Sequence, residues 1–387
     1  MVLDALVLAA WVSPIYYFSS LVGGEIARRI RRRKLGRRGR VEKVIFQIPT
    51  VGNAETTNRA FRAVKSYGFP VETWVVIEEG DDPSRYEADR VVVVPRGFQC
   101  ECLYKARALE YARRLRKEMV ERGELSPNYV LLQGDDDSIP SREFVEECLS
   151  VDADIVIGTI TPRPVTVLGT LIDYERSVAC GTQCNLFTNI SSPVWGHGEA
   201  MCISSRVDLS VSYDVSDIGR SGQKLISSED LFYLHKAVHK GFRRVYNSTA
   251  KVYITPPLSL RDAFKQRRRW MWGNLRIVLY GLLPLSSRLR ILAAWILGLY
   301  TYTVSTLGIF LYHLGIVKFP DYLYPLLWAT LVMWLLARGV SIGRAMGWKH
   351  GVLGTVASHI TVTLNFVLHV AALLKGDPKK FEVIKKA

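Results

Sequence analysis

Hydrophobic residues are concentrated near the two ends of the chain, in runs that are long enough to cross a membrane. A transmembrane helix needs about 20 consecutive, mostly apolar residues. One such run begins the sequence and three more lie towards its other end: Val2–Val22, Ile291–Tyr312, Tyr322–Ala337 and Val352–Leu374. The pattern therefore predicts about four transmembrane helices.

The chain between these runs has the pattern of an α/β domain. Short, continuous apolar segments predict strands buried on both faces. They are Val44–Phe46, Trp74–Ile77, Val91–Val94, Tyr129–Leu132 and Ile155–Ile157. Helical patterns separate several of them: Glu55–Tyr67, Lys105–Glu121 and Arg142–Leu149. This alternation predicts a largely parallel, doubly wound sheet that binds ligands at the carboxyl ends of its strands.

These patterns divide the chain into six segments. They are a transmembrane helix at 1–24, a basic linker at 25–40, a globular domain at 41–270, an interfacial helix at 271–289, three transmembrane helices at 290–375 and a basic tail at 376–387.

Charge gives the predicted helices an orientation. The chain has 51 Lys and Arg and a formal net charge of +15, and its densest basic cluster, Arg28–Arg40, directly follows the first apolar run. A cluster in this position favours membrane lipids over nucleic acid as the partner. Basic residues follow the first run instead of preceding it, which argues for a retained helix and against a cleaved signal peptide. We therefore expect a multi-pass cell membrane protein with its globular domain in the cytosol, although the Lys-rich tail does not fit four spans.

The six cysteines show no metal-ligand spacing. In a cytosolic domain we expect them to be reduced, structural thiols.

Three consecutive carboxylates are the clearest chemical signal. Asp135–Asp137 follow the predicted strand Tyr129–Leu132. Alternate residues of an extended chain point the same way, so Asp135 and Asp137 can converge on one hard cation. A cation there would neutralise a leaving diphosphate. The alternative is a solvated acidic turn.

Two further motifs each have a functional and a structural interpretation. Glu229 and Asp230 precede an apparent helix, where Asp230 is a candidate general base; acidic residues also suit a helix N-terminus. In Gln266–Trp270, an arginine can pair with a diphosphate while Trp270 lines an acceptor groove. The basic residues Arg267, Arg268 and Arg276 can instead lie near lipid phosphates at the membrane interface.

Two weaker signals concern nucleotide binding. Pro49 and Thr50 end the first predicted strand, a natural place for a nucleotide contact. Lys105 opens a helix, and helix N-termini favour phosphate.

Together these motifs, in this order, resemble the family 2 glycosyltransferases, which include cellulose, chitin and hyaluronan synthases. The resemblance covers about Val44–Trp270 and implies a GT-A fold, a nucleotide-sugar donor, Mn²⁺ or Mg²⁺, and inversion at the anomeric carbon. It makes Asp135 and Asp137 the metal-binding pair, Asp230 the catalytic base with Glu229 as a second catalytic residue, and Gln266, Arg269 and Trp270 the Q-x-x-R-W signature.

The same resemblance assigns the remaining contacts. For the nucleotide-sugar they are Pro49, Thr50, Glu78, Lys105, Asp135, Asp136 and Arg269; for the acceptor they are Trp195, Gly196, His197, Gly198, Gln266 and Trp270. The family usually has an aspartate pair after the second strand. Here Glu78, Glu79, Asp81 and Asp82 follow it, so the acid that contacts the base stays open.

The arrangement of spans and motifs is most similar to the egghead-type β-1,4-mannosyltransferases. That similarity implies a donor, GDP-mannose before UDP-glucose, and a lipid-linked or glycolipid acceptor. Four spans are too few to line a polysaccharide channel, so we expect non-processive transfer. The alternatives are a polyprenyl-phosphate sugar synthase, a polysaccharide synthase that uses UDP-glucose, and a membrane receptor that binds a nucleotide or lipid without turnover.

Overall fold

A computed structural model describes residues 2–220, 222, 224–225, 227–318, 320–378, 382 and 384. Its centre is one sheet of eight strands: β1 (Lys43–Pro49), β2 (Val71–Glu78), β3 (Arg90–Val94), β4 (Tyr129–Gln133), β5 (Ile139–Pro140), β6 (Ile155–Pro162), β7 (Met201–Ser204) and β8 (Arg244–Ile254). The order across the sheet is β3-β2-β1-β4-β7-β6-β8-β5.

Thirteen α-helices surround the sheet or extend from it within the described residues. They are α1 (Val2–Leu35), α2 (Ala54–Lys65), α3 (Lys105–Glu121), α4 (Arg142–Ser150), α5 (Val167–Ala179), α6 (Asn185–Ile190), α7 (Ser205–Ser210), α8 (Glu229–His239), α9 (Leu260–Leu279), α10 (Leu285–His313), α11 (Tyr324–Met346), α12 (Trp348–Val356) and α13 (Ser358–Lys375).

The predicted mixed α/β architecture is confirmed. All five predicted strands are present, and β1, β2, β3 and β4 are parallel neighbours. β7 runs antiparallel between β4 and β6, and β6 pairs in parallel with β8. Because the parallel strands end at one edge of the sheet, their following loops meet there.

The sequence patterns missed β5, β7 and β8. β5 and β7 have only two and four residues, too few for a periodic signal. β8 contains the polar run Asn247–Thr249, and its pairing with β6 shifts register between Gly158 and Thr159. An irregular strand of this kind does not form a continuous apolar run.

Two helices of the described part are long and apolar enough to cross a membrane: Asp321–Met346 and Ser358–Lys375. They overlap the predicted spans Tyr322–Ala337 and Val352–Leu374. Predicted spans Val2–Val22 and Ile291–Tyr312 fall on α1 and α10, but many of their side chains lie outside the described residues, as does most of the basic tail. Four spans therefore remain a prediction.

The last predicted span is divided in the structure. Residues 352–374 form the end of α12 and most of α13, with a break at Ala357. A Cβ on Gly351 would lie 2.7 Å from the carbonyl oxygen of Gly339, and one on Gly354 would lie 2.4 Å from Ile342. Glycines thus let α12 pack closely against α11.

Two predicted segment boundaries also differ from the helix ends. α1 continues through the predicted linker as far as Leu35. The predicted interfacial helix 271–289 corresponds to the second half of α9 and the start of α10, which are separate helices.

Candidate active site

The three consecutive carboxylates lie just beyond the end of β4 and contact three different parts of the fold. Asp135 pairs with the ammonium group of Lys105 at 2.5 Å. The Asp136 carboxylate accepts hydrogen bonds from the side chains of Asn53 and Thr50, which follow β1. Asp137 is only 3% exposed and accepts a hydrogen bond from the backbone N–H of Thr255 at 3.0 Å. This arrangement differs from a solvated acidic turn, because all three side chains line one cavity.

Lys105 bridges the carboxylates of two separate elements. It begins α3 and contacts Asp135 as well as Glu229, at 3.1 Å. Burial acts to lower the pKa of Lys105, but Asp135, Glu229 and Asp230 outweigh it and raise the pKa well above its usual value. Lys105 therefore remains a partly buried cation at the helix N-terminus, where phosphate groups are favoured.

Asp230 lies at the N-terminus of α8, against a glycine-rich loop. The backbone N–H of Gly198 donates a hydrogen bond to its carboxylate at 2.8 Å. A Cβ on Gly196 would lie 2.2 Å from the same carboxylate, so only glycine fits there. Burial and the neighbouring Glu229 raise the pKa of Asp230 to about 7, although Lys105 opposes the shift. A carboxylate with this pKa is suited to general base catalysis near neutral pH.

The residues that directly precede α3 and α8 have a strained backbone. Tyr104 and Ser228 are the two non-glycine residues with positive φ in the described part of the chain, at 53° and 60°. Each directly precedes a helix of the site, α3 or α8. Ser228 makes no side-chain hydrogen bond to cap α8. The contact expected of the helix-terminus interpretation comes from Asp230 instead, whose carboxylate accepts a hydrogen bond from the backbone N–H of Leu231 at 2.8 Å. Strained residues are also common at functional sites.

The Q-x-x-R-W segment forms part of α9 and faces the cavity with Gln266, Arg269 and Trp270. Arg267 is 2% exposed and pairs with Asp173 at 3.1 Å. Its guanidinium lies 4.7 Å from the centre of the Trp270 ring, and that of Arg176 lies 4.8 Å from it. The tryptophan is therefore held by two cations.

The structure does not support the prediction that Arg267, Arg268 and Arg276 lie near lipid phosphates. Besides the pair of Arg267 with Asp173, Arg268 pairs with Glu382 at 2.9 Å. Arg276 pairs with Asp377. Ion pairing within the chain accounts for all three charges, so they are not a lipid-facing row.

The four acidic residues that were candidates for contacting the base, at the end of β2 and in the loop after it, lie in different surroundings. Glu78 lines the cavity and pairs with Arg107. Glu79 instead accepts a hydrogen bond from the backbone N–H of Arg96, and Asp82 caps the following turn. Asp81 accepts one from the Tyr86 hydroxyl at 2.6 Å. Glu78 is thus the acid of this group that the fold places at the cavity.

A short loop carries the remaining predicted residues, from Trp195 to Glu199. The Trp195 indole N–H donates to the side-chain oxygen of Gln183 at 2.7 Å. Its ring meets that of Trp295 edge to face, with centroids 5.3 Å apart. Glu199 pairs with Arg176, and burial raises its pKa although Arg176 opposes the shift. The loop therefore joins the site to α5 and α10.

These groups enclose one cavity of ≈ 770 Å³ with two chemically different ends. We call the first the carboxylate end; it comprises Asp135–Asp137, Lys105, Glu229, Asp230 and Arg269. We call the second the aromatic end; it comprises Tyr17, Trp195, Trp270, Trp295, Asn365 and His369. Sequence patterns missed Tyr17, Trp295, Asn365 and His369 as cavity residues, because each lies in an apolar run that predicts only a helix.

The cysteines differ from the prediction in two ways. Cys100 and Cys102 form a disulfide. Cys180, Cys184 and His197 place their ligand atoms within 4.8 Å of one another, all buried. The available sequence signal for this cluster was the i, i+4 spacing of Cys180 and Cys184 on a helix. The third residue, His197, is not part of that spacing, so the pattern alone does not reveal the cluster.

Comparisons with known proteins agree with this geometry. The sequence model of glycosyl transferase family group 2 matches residues 129–342, more than half of the chain. A search among curated proteins finds no significant match.

Among solved structures, a mannosyltransferase shares the fold, and two further structures are similar at lower TM-scores. A mannosyltransferase from Pyrobaculum calidifontis, in complex with GDP-Man and Mn²⁺, is 14% identical, with a TM-score of 0.50 over 96% of this chain and 98% of that one. S. aureus TarS is 13% identical over 86% of this chain and 92% of that one, with a TM-score of 0.32. Glucosyl-3-phosphoglycerate synthase from Mycobacterium tuberculosis is 12% identical over 67% and 83%, with a TM-score of 0.36.

Proposed function

The chain belongs to glycosyl transferase family group 2, and we propose that it transfers mannose from GDP-mannose, with inversion, to a hydroxyl of a lipid-linked acceptor. We further propose that it adds one or a few sugars without processive polymerisation. In this proposal the α/β domain lies on the cytosolic face of the membrane.

One observation carries the proposal: the cavity connects the carboxylates to a helix that can cross a membrane. Asn365 and His369 lie on α13, one of the two candidate spans, and both line the cavity. Trp295 of α10 lies beside them, with its ring centroid 5.4 Å from that of His369. A lipid-linked sugar can therefore enter from the membrane side while a water-soluble donor occupies the other end.

The carboxylate end fits a divalent cation. Asp135 and Asp137 offer hard oxygen ligands, which Mn²⁺ and Mg²⁺ prefer. Lys105 places one positive charge against Asp135, and its flexible side chain would have to move aside for the ion to use that carboxylate. When bound, the ion would neutralise charge on the donor diphosphate. Asp135 and Asp137 are the residues that would hold it.

The residues of the chain suggest how a single displacement proceeds. Asp230 removes the proton from the acceptor hydroxyl as its oxygen bonds to the anomeric carbon. The bond from that carbon to the diphosphate oxygen breaks on the opposite face, so the configuration inverts. Lys105 and Arg269, which line the cavity, would stabilise the charge that the leaving diphosphate gains.

Support for GDP-mannose as the donor comes from the similarity to the Pyrobaculum calidifontis mannosyltransferase, whose structure contains GDP-Man. Its low identity shows the fold alone, so the donor needs a direct test. Glu78, Pro49 and Thr50 line the cavity at the ends of β1 and β2, where the base and ribose of a nucleotide would lie.

The test uses the full-length protein in detergent or nanodiscs. Thermal stabilisation by GDP-mannose with Mn²⁺ should exceed that by UDP-glucose or GDP alone. Incubation with excess donor and a glycolipid acceptor, followed by mass spectrometry, should show products with one or a few added hexoses. Preferential stabilisation by UDP-glucose would contradict the donor assignment, and a ladder of dozens of sugars would contradict non-processive transfer.

A further inference from the structure

Two cysteines that the reaction does not use face a histidine in the interior of the domain. Cys180 and Cys184 are each 2% exposed, as is His197. One ligand atom from each lies within 4.8 Å of the other two. In a tetrahedral zinc site, neighbouring sulfur ligands lie about 3.8 Å apart, so about 1 Å of closure is enough to complete the geometry.

The backbone around the cysteines is unusual. Residues 180–184 form a single π-helical turn that joins α5 to α6. The wider turn places Cys180 and Cys184 on the same side, and their thiols are in hydrogen-bond contact. π-Helical turns inside α-helices occur frequently at functional sites.

The histidine is oriented as a ligand. Its ring makes a hydrogen bond to the backbone of Gly158, while Nδ1 is buried without a hydrogen-bond partner among the described residues. A metal-binding histidine commonly donates one ring N–H to a backbone carbonyl and leaves the other nitrogen for the ion. A buried nitrogen with no partner is otherwise unfavourable.

Outer contacts surround the Cys180 sulfur as well. The Tyr246 hydroxyl and the backbone N–H of Ile160 lie beside it as potential hydrogen-bond donors. Hydrogen bonds of this kind stabilise the charge of a sulfur that binds a metal ion. The cluster thus has both direct ligands and the second layer of contacts that support them.

We propose that Cys180, Cys184 and His197 form a zinc site, separate from the carboxylate end of the cavity. Two sulfurs and one imidazole favour Zn²⁺ over Mg²⁺ or Mn²⁺, which prefer oxygen ligands. All three residues also line the cavity, so the fourth coordination position faces its interior.

The site would stabilise the loop beneath Asp230. His197 lies between Gly196 and Gly198, the two glycines that pack against the Asp230 carboxylate. An ion on His197 would connect this loop to the α5–α6 helical segment. Zinc binding itself depends only on the three ligands and does not require the proposed donor or acceptor.

The first test measures metal in the wild-type protein. Full-length protein purified under reducing conditions and supplied with ZnSO₄, then freed of loosely bound metal, should retain about one zinc ion per chain by elemental analysis. Replacement with Co²⁺ should produce thiolate-to-cobalt charge-transfer absorption. Absence of both retained zinc and that absorption would overturn the proposal, and neither measurement depends on a variant.

Variants then assign the ligands. Cys180→Ser and His197→Gln should each lose the retained zinc and the cobalt absorption. Cys148→Ser is the matched control, because Cys148 and Cys202 form a second buried pair of thiols in contact. Asp137→Asn is a further control and should retain zinc. Retention of the ion in folded Cys180→Ser and His197→Gln, or its loss in Cys148→Ser, would overturn the assignment.

Discussion

The two ends of the cavity are built by different means. The carboxylate end combines the loop after β4, which carries Asp135–Asp137, with residues of three helices: Lys105 at the start of α3, Glu229 and Asp230 at the start of α8, and Arg269 of α9. The aromatic end consists of side chains from helices α1, α9, α10 and α13 and one loop. Main-chain pairing of β4 therefore places the three consecutive carboxylates of the first end, whereas the second end depends mainly on how helices pack against the domain.

Buried ion pairs connect α5 to three other parts of the fold, among them α9 of the aromatic end. Asp173 of α5 pairs with Arg267 of α9 at 3.1 Å. Glu175 accepts two hydrogen bonds from Arg338 of α11, at 2.9 and 2.5 Å, and Arg176 pairs with Glu199. These three residues of α5 point in different directions around the helix, so one element orients three others. Removing one partner of such a pair would leave a buried charge.

The largest expected effect concerns the carboxylate end. Asp137→Asn should abolish transfer and weaken metal-dependent binding of the nucleotide-sugar, because a neutral amide is a poorer ligand for a hard cation. Donor affinity with and without Mn²⁺, measured by calorimetry, checks this expectation. Asp152→Asn provides a control, since its carboxylate pairs with Arg243 at the surface. Unchanged metal-dependent affinity in Asp137→Asn would show that this acid has no part in metal binding.

The next prediction concerns Asp230, the candidate base of the carboxylate end. Asp230→Asn should reduce turnover on the order of 100-fold or more while donor affinity stays nearly constant, since proton removal contributes only in the transition state. Steady-state kinetics and equilibrium binding of the donor separate the two effects. Turnover at the wild-type level would remove Asp230 as the base, and selective loss of donor affinity would move it into the nucleotide site.

The pH dependence gives an independent readout of the same residue. Burial and Glu229 raise the pKa of Asp230 to about 7, and the base must be deprotonated to act. Turnover should therefore rise with pH up to about 7 and fall below it, by roughly tenfold for each pH unit. The residual activity of Asp230→Asn should lack this dependence. An identical acidic limb in that variant would assign the titration to another group.

The loop beneath the base is the next test. Gly196→Ala places a methyl group 2.2 Å from the Asp230 carboxylate, so the loop or the acid must shift. A displacement of about 1 Å can reduce turnover by about 10- to 100-fold. Gly39→Ala is the matched control, since nothing lies within 4 Å of its new methyl group. Equal turnover in the two variants would show that the close packing at Gly196 has no role in catalysis.

Sequence patterns predict the two ends to different extents. Asp135–Asp137, and Glu229 with Asp230, are adjacent along the chain and follow recognisable strand or helix patterns, so the carboxylate end was accessible. Trp295 and His369 lie in apolar runs that indicate a helix but not its neighbours. α13, which carries His369, is held by contacts of Thr361 with Glu175 and of Asn365 with Arg267, and local periodicity carries no information on such long-range partners.

The smallest expected effect concerns one atom of the aromatic end. The indole N–H of Trp295 is buried and has no hydrogen-bond partner among the described residues, although its ring packs against Trp195 and His369. An acceptor sugar or phosphate oxygen in the cavity can provide that partner. Trp295→Phe keeps an aromatic ring and removes the donor, so it should raise the KM for the lipid-linked acceptor by about 3- to 10-fold, the range for one hydrogen bond. The donor KM and the kcat should change little, because the indole makes no contact with the carboxylates among its described contacts. Ile296→Val is the matched control, since Ile296 follows Trp295 on the same helix but is 58% exposed. If Trp295→Phe changes the donor KM instead, the aromatic end binds part of the nucleotide-sugar. That result would contradict the assignment of this end to the acceptor.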